Sequence, residues 1–163
     1  MADEGFNAYD KYPGFNKEKT IMYNASEIVT ASGFVAASDG TYTLANNKAT
    51  KIMVVPITGL REGDILKNFR LLGAIGATPP TPTVLDADFR KVTKGTGVVT
   101  DASIASITQV SASVDAALDQ EKSLSKEKVA ADYQYYVKIT GTSAADAGSD
   151  VAITGVEVDI ERA

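Results

Sequence analysis

The segment 151–161, VAITGVEVDIE, alternates strictly. Val156, Val158 and Ile160 fall on one face and Glu157, Asp159 and Glu161 on the other. That is the period of a strand with one side on a core and the other in water. Gly155 inside the run predicts a bulge or a close backbone contact. The segment 133–140, YQYYVKIT, repeats the pattern with Tyr133, Tyr135, Val137 and Ile139 together. The β-branched run 51–58 carries Pro56, which has no N–H for a ladder and so places the run at a sheet edge or the residue at a strand end. After a turn at 59–64, residues 65–75 form a strand with neither face clean, as one bulge or one partly buried face would produce. Residues 41–44 and 83–93 read as further strands, the latter ended by Gly95 and Gly97.

Two stretches are open between periods. In 101–121, Ile104, Ile107, Val110, Val114 and Leu118 keep helical spacing, yet the Ser, Thr, Val and Ile content favours a strand. Residues 25–38 fit a short helix, or a strand bent at Gly33. Asp39-Gly40 and Asn46-Asn47 read as turns, and ATPPTP at 77–82 as an exposed extended loop. Many strands at short intervals, with no strand–helix alternation, imply an all-β, antiparallel, jelly-roll-like sandwich. Strands from the two ends of the domain should pair, which puts 151–161 inside a sheet. The chain divides into an extended arm over 1–38, with a short helix or strand in it, and a sandwich over 39–163.

The absences bound the chemistry. With no His, Cys or Trp among 163 residues, zinc fingers, disulfides, thiol nucleophiles and Ser-His-Asp triads are excluded. A net charge of −5 and scattered Lys and Arg argue against nucleic acid as a partner. No apolar run approaches a membrane span, and the mixed charges of the first twenty residues do not read as a leader.

The remaining candidates are modest. Asp86 and Asp88 share a strand face, the spacing of a carboxylate pair, but a solvated face is the simpler reading. Asp146 to Asp150, or Asp115 with Asp119, offers oxygen ligands without EF-hand spacing. Lys94-Gly95-Thr96-Gly97 lacks phosphate-loop spacing and reads as a hairpin turn. Tyr133, Tyr135 and Tyr136 suggest a sugar-stacking platform, but alternation sends Tyr136 to the opposite face, where it is free for surface contact. No catalytic, cofactor-binding or metal-ligating residue, and no cofactor, is assigned.

The arm is less bland. Residues 1–24 hold Phe6, Tyr9, Tyr12, Phe15 and Tyr23 among polar residues, Gly and Pro. Disordered tails are poor in aromatics, so this one is expected to dock, on its own domain or on a partner.

Several segments together are similar to a known group: PITGLREGD at 56–64, LDADFRKVT at 85–93, ITQV at 107–110, YYVKIT at 135–140 and ITGVEV at 153–158. They resemble β-sandwich structural proteins of tailed-bacteriophage virions, of the capsid decoration (cement) and fibre kind. The resemblance covers about two-thirds of the chain and carries over no functional residue. It implies a non-enzymatic protein on the outer capsid surface, bound to the major capsid protein, stabilising the head and self-associating, with a trimer favoured. Phe6, Tyr9, Tyr12 and Phe15 would then be the partner contacts. The alternative expectation is a phage fibre or host-glycan-binding sandwich, using loops 77–82 and 141–150.

Overall fold

The computed structural model describes residues 18–24, 30–32, 34–36, 38, 40–44, 51–75, 84–95, 97–110, 116–142 and 151–163. Its strands are β1 (Glu18–Asn24), β2 (Thr30–Ser32), β3 (Phe34–Ala36), β4 (Tyr42–Leu44), β5 (Lys51–Ile57), β6 (Ile65–Ile75), β7 (Val84–Thr93), β8 (Asp101–Val110), β9 (Ala116–Lys128), β10 (Tyr133–Thr142) and β11 (Val151–Glu161). All pair antiparallel, in two sheets. One sheet has the order β3-β4-β11-β6-β9, with β1 also on β11, and the other β2-β5-β10-β7-β8. The chain changes sheet between most successive strands, as a jelly roll does.

Where 101–121 is described it is strand, not helix: β8 and the start of β9, which lie in different sheets, with 111–115 outside the described residues. β11 is internal. β6 runs along one of its edges, while β4 (at Ala152 and Ile153) and β1 (from Gly155 to Glu161) share the other. The N-terminal and C-terminal strands therefore pair. β1, β2 and β3, from the segment expected as an arm, pair within the two sheets. Tyr23 leaves the arm for the core, 3% exposed. Alternation hides this strand from the sequence, because of the β1 side chains only Tyr23 is fully buried. Gly33, Asp39, Asn46-Asn47 and 77–82 lie outside the described residues.

Two facing apolar layers make the core. Phe69 on β6 meets Phe89 on β7 across the sheets at 5.4 Å between ring centroids, and Phe89 meets Tyr135 at 6.4 Å, both in tilted geometries that aromatic pairs favour. Met53, Leu71, Leu85, Ile139 and Ile153 fill the space around them. The mixed faces of β6 come from a bulge. Lys67 is the extra residue between Leu66 and Asn68, so burial passes from Leu66 to Phe69 and Leu71. Opposite Lys67, β9 kinks: Ser125 and Lys126 have positive φ (54° and 58°), and Leu124 turns fully into the core. On β11, the register slips between Ile153 and Gly155. A Cβ on Gly155 would sit 2.4 Å from the Tyr23 carbonyl oxygen, so this glycine serves both as bulge and as close contact.

Candidate functional site

At one end of the sandwich β5 stops at Ile57, opposite Tyr135, while β10 continues back to Tyr133. Pro56 sits in this last stretch of β5, beyond the short pairing with β2, at an edge where its missing N–H costs nothing. The edge of β10 left open by β5 borders a cleft of about 730 Å³. Pro56, Ile57, Thr58, Leu60 and Glu62 form one wall, Val129 to Ala131 another, and Val92, Lys94, Tyr133, Gln134, Tyr135 and Tyr136 line the β7 and β10 side.

The walls are held by backbone bonds. The turn 59–64 has Gly59 and Gly63 at positive φ (72° and 91°) and closes through the Asp64 N–H to the Arg61 carbonyl, 3.1 Å. It is stitched to the β9–β10 connection by Gly63 N–H to Val129 O (2.9 Å) and Val129 N–H to Asp64 O (2.7 Å). Across the cleft, Lys94 donates its N–H to Asp132 O at 2.7 Å and its Nζ to Ala131 O at 3.0 Å.

Behind the turn lies Asp64, fully buried. Its carboxylate accepts the Arg61 N–H (2.8 Å), the Arg162 guanidinium (2.5 Å) and the Ala163 N–H (3.4 Å). Arg162 also donates to Gly59 O, at 3.3 Å from Nη1. A buried carboxylate is tolerable only with this full set of donors. Tyr23 reaches through the core from β1 and donates its hydroxyl to Thr58 O at 2.5 Å.

Tyr133, Tyr135 and Tyr136 all line this cleft, although alternation puts them on two faces of β10. The cleft meets both faces because it wraps the open edge. Tyr135 is core, and its hydroxyl accepts the Ala130 N–H at 3.3 Å. Burial pushes its phenol pKa upward. Tyr133 lies under Lys91, whose Nζ is 5.0 Å from the ring centroid and pairs with Glu127 at 2.5 Å. Tyr136 points outward beside Pro56 and donates to Asp101 at 2.7 Å.

Asp101 belongs to a network on the outer face of the second sheet. Arg90 donates its Nε to Asp101 at 3.0 Å and pairs with Asp88, which also takes hydrogen bonds from Ser103 and Ser106. Arg90 is held protonated by Asp101 and then by Asp88. Asp101 is held below the usual carboxylate range by Arg90 and by Tyr136. Burial pushes Asp88 up, but its two serines and Arg90 outweigh that and leave it low. Asp88 is thus engaged in a side-chain network on the sheet face rather than simply solvated. Asp86 keeps one buried carboxylate oxygen without a hydrogen bond.

Lys94, Gly95 and Gly97 lie between β7 and β8, which pair antiparallel, with Thr93 N–H bonded to Thr100 O at 3.1 Å, so the hairpin reading of that motif stands. Phe6, Tyr9, Tyr12 and Phe15, the pair Asp146 and Asp150, Asp115, the Asp119 side chain and loops 77–82 and 143–150 lie outside the described residues. Of the strand ends that flank those two loops, Thr142 pairs with Val84 in the second sheet and Val151 with Ile75 in the first, away from the cleft. What the sequence reading missed was residues 56–62 and 129–131. Their local signal was a turn and a short connection, and their convergence is set by non-local pairing.

No family model and no curated protein matches the chain. Solved structures do match. The C-terminal CBM6 of LamC, a marine laminarinase from Zobellia galactanivorans, is 13% identical with a TM-score of 0.39, covering 86% of this chain and 98% of that one. A structure described as CBM4 is 12% identical, TM-score 0.38, covering 92% and 87%. A family two carbohydrate esterase from Cellvibrio japonicus is 9% identical, TM-score 0.36, and the match covers 90% of this chain but 34% of the esterase. At TM-scores of this size the likenesses decide neither ligand nor activity, and the functional reading rests on the cleft itself.

Proposed function

We propose that the chain is a non-catalytic β-sandwich binding module that takes a glycan in the end cleft. The observation that carries this is the cleft's composition on a fixed frame. An aromatic ring (Tyr136), Pro56 and aliphatic walls stand beside a few polar groups, Gln134, Thr58 and Glu62, on backbone stitched by hydrogen bonds. A sugar ring presents apolar C–H faces and a polar rim, which such a surface matches. The volume lies in the range of small-molecule sites. Calorimetric titration with a panel of neutral and acidic oligosaccharides tests the reading. Tyr136→Ala should weaken the best binder about tenfold, while Tyr136→Phe, which keeps the ring, should retain most of the affinity. Failure of every glycan, soluble or immobilised, overturns it.

Capsid decoration is the second reading. What favours it is the row of aromatics, Phe6 to Phe15, ahead of β1. The major capsid protein as partner, a trimer and a place on the virion surface belong to that reading. Co-sedimentation of the protein with empty capsid particles, lost when residues 1–17 are removed, would support it; unchanged sedimentation would sink it.

A further inference from the structure

Phe6, Tyr9, Tyr12 and Phe15 are unused by the cleft reading, and they are spaced three apart. Gly5, Pro13 and Gly14 oppose a helix there. The four aromatics thus recur at every third residue of a segment that is otherwise mostly polar.

The point of attachment is fixed. β1 begins at Glu18, opposite Glu161 and paired with Lys67, at the end of the sandwich that carries the cleft. Five residues further on, about 17 Å of strand, Tyr23 is bonded to Thr58 in the cleft wall. Seventeen residues precede Glu18. A chain of that length can span at most about 56–61 Å, so the cleft of the same chain is within reach. The surface there is complementary: Pro56, Ile57, Leu60 and Val129 are apolar, and Tyr133 and Tyr136 add aromatic partners. A tethered segment has a local concentration in the millimolar range, so weak contacts suffice to seat it.

We propose that residues 6–15 fold back and seat their aromatic side chains in the cleft of their own chain. Arm and soluble ligand then compete for one site. The docking stands on the arm and the cleft alone, and only the competition rests on the glycan reading.

The chain has no cysteine, so Asp10→Cys gives a single attachment point for a nitroxide in the full-length protein. With the label oxidised, the amide NMR signals of Leu60, Ala130 and Gln134 should lose intensity severalfold relative to the reduced label. Changing the four aromatics to alanine should restore them. Intensities unchanged at the cleft, or a loss that persists in the alanine variant, overturn the proposal. A loss that appears only when labelled chains are mixed with isotope-enriched unlabelled ones also overturns it, because the occupant would be a second copy. A protein that binds no glycan would leave all of these outcomes unaffected.

Discussion

Asp64 and Asp88 are both aspartates gripped by an arginine, but they sit in opposite surroundings. Asp64 is fully buried behind the cleft turn, with Arg162, Arg61 and Ala163 as its donors, two of them almost a hundred residues away. Asp88 lies on the outer face of a sheet, its side chain 21% exposed, among Arg90, Ser103 and Ser106 from its own hairpin. Removing one partner of a buried pair strands the other charge in a poor solvent, whereas exposed pairs are screened and contribute little. The chemistry is shared and the consequence differs. The first group fixes the shape of the cleft end, and the second tunes the rim beside Tyr136.

The sharpest way to break this contrast is Asp64→Ala. It leaves Arg162 without its carboxylate and the Arg61 and Ala163 N–H groups without an acceptor. A loss of about 3–5 kcal/mol is expected, read as a lower urea midpoint, together with faster hydrogen exchange at Gly63 and Val129. A loss below about 1 kcal/mol would place Asp64 in the same class as the surface network.

Gly155→Ala tests whether the cleft end is also held from β1. The new methyl would press on the Tyr23 carbonyl and push β1 off β11. The expected cost is about 2 kcal/mol, within the range for overpacking. Because Tyr23 bonds Thr58, exchange should rise in the cleft wall as well as in β1. Loosening confined to β1 would show that the turn is held by Asp64 alone.

Much of the frame was legible in the sequence because the strand period is local. Residues 151–161 show their inward face in three apolar side chains, and of the two readings that the uneven faces of 65–75 left open, the bulge is the one found. The 18–24 strand was not legible, since most of it is exposed and its stability comes from pairing with β11 at the other end of the chain. The cleft was still harder to see. Its walls come from residues 56–62 and 129–136, which backbone pairing brings together across some seventy positions. Asp64 read as an ordinary turn residue because its arginine is ninety-eight residues away. Alternation placed Tyr133 and Tyr135 on one face and Tyr136 on the other, but their shared destination depends on where β5 ends, which no period encodes.

On the outer face, Arg90→Ala removes the ties to Asp88 and Asp101 at once. The expected loss is at most about 1 kcal/mol in urea unfolding, with Tyr136 freer to turn. A loss as large as that of Asp64→Ala would mean that the outer network is structural and the contrast false.

The smallest effect expected is that of acid. Asp88 and Asp101 both have pKa values held below the ordinary carboxylate value. A group whose folded pKa is depressed stabilises the fold above its unfolded pKa, near 3.9 for Asp. That contribution disappears as pH falls through the folded value. Unfolding free energy should therefore be level from neutral pH down to about 5 as far as these two groups are concerned, then decline below about 4. Asp101→Asn should lower the neutral plateau slightly and make the acid decline shallower, because one of the two titrating carboxylates is gone. Its side chain is 43% exposed, so solvent screening keeps the difference small. An acid decline equally steep in wild type and Asp101→Asn would show that the surface carboxylates carry none of it, and would sharpen the contrast with the buried aspartate at the cleft.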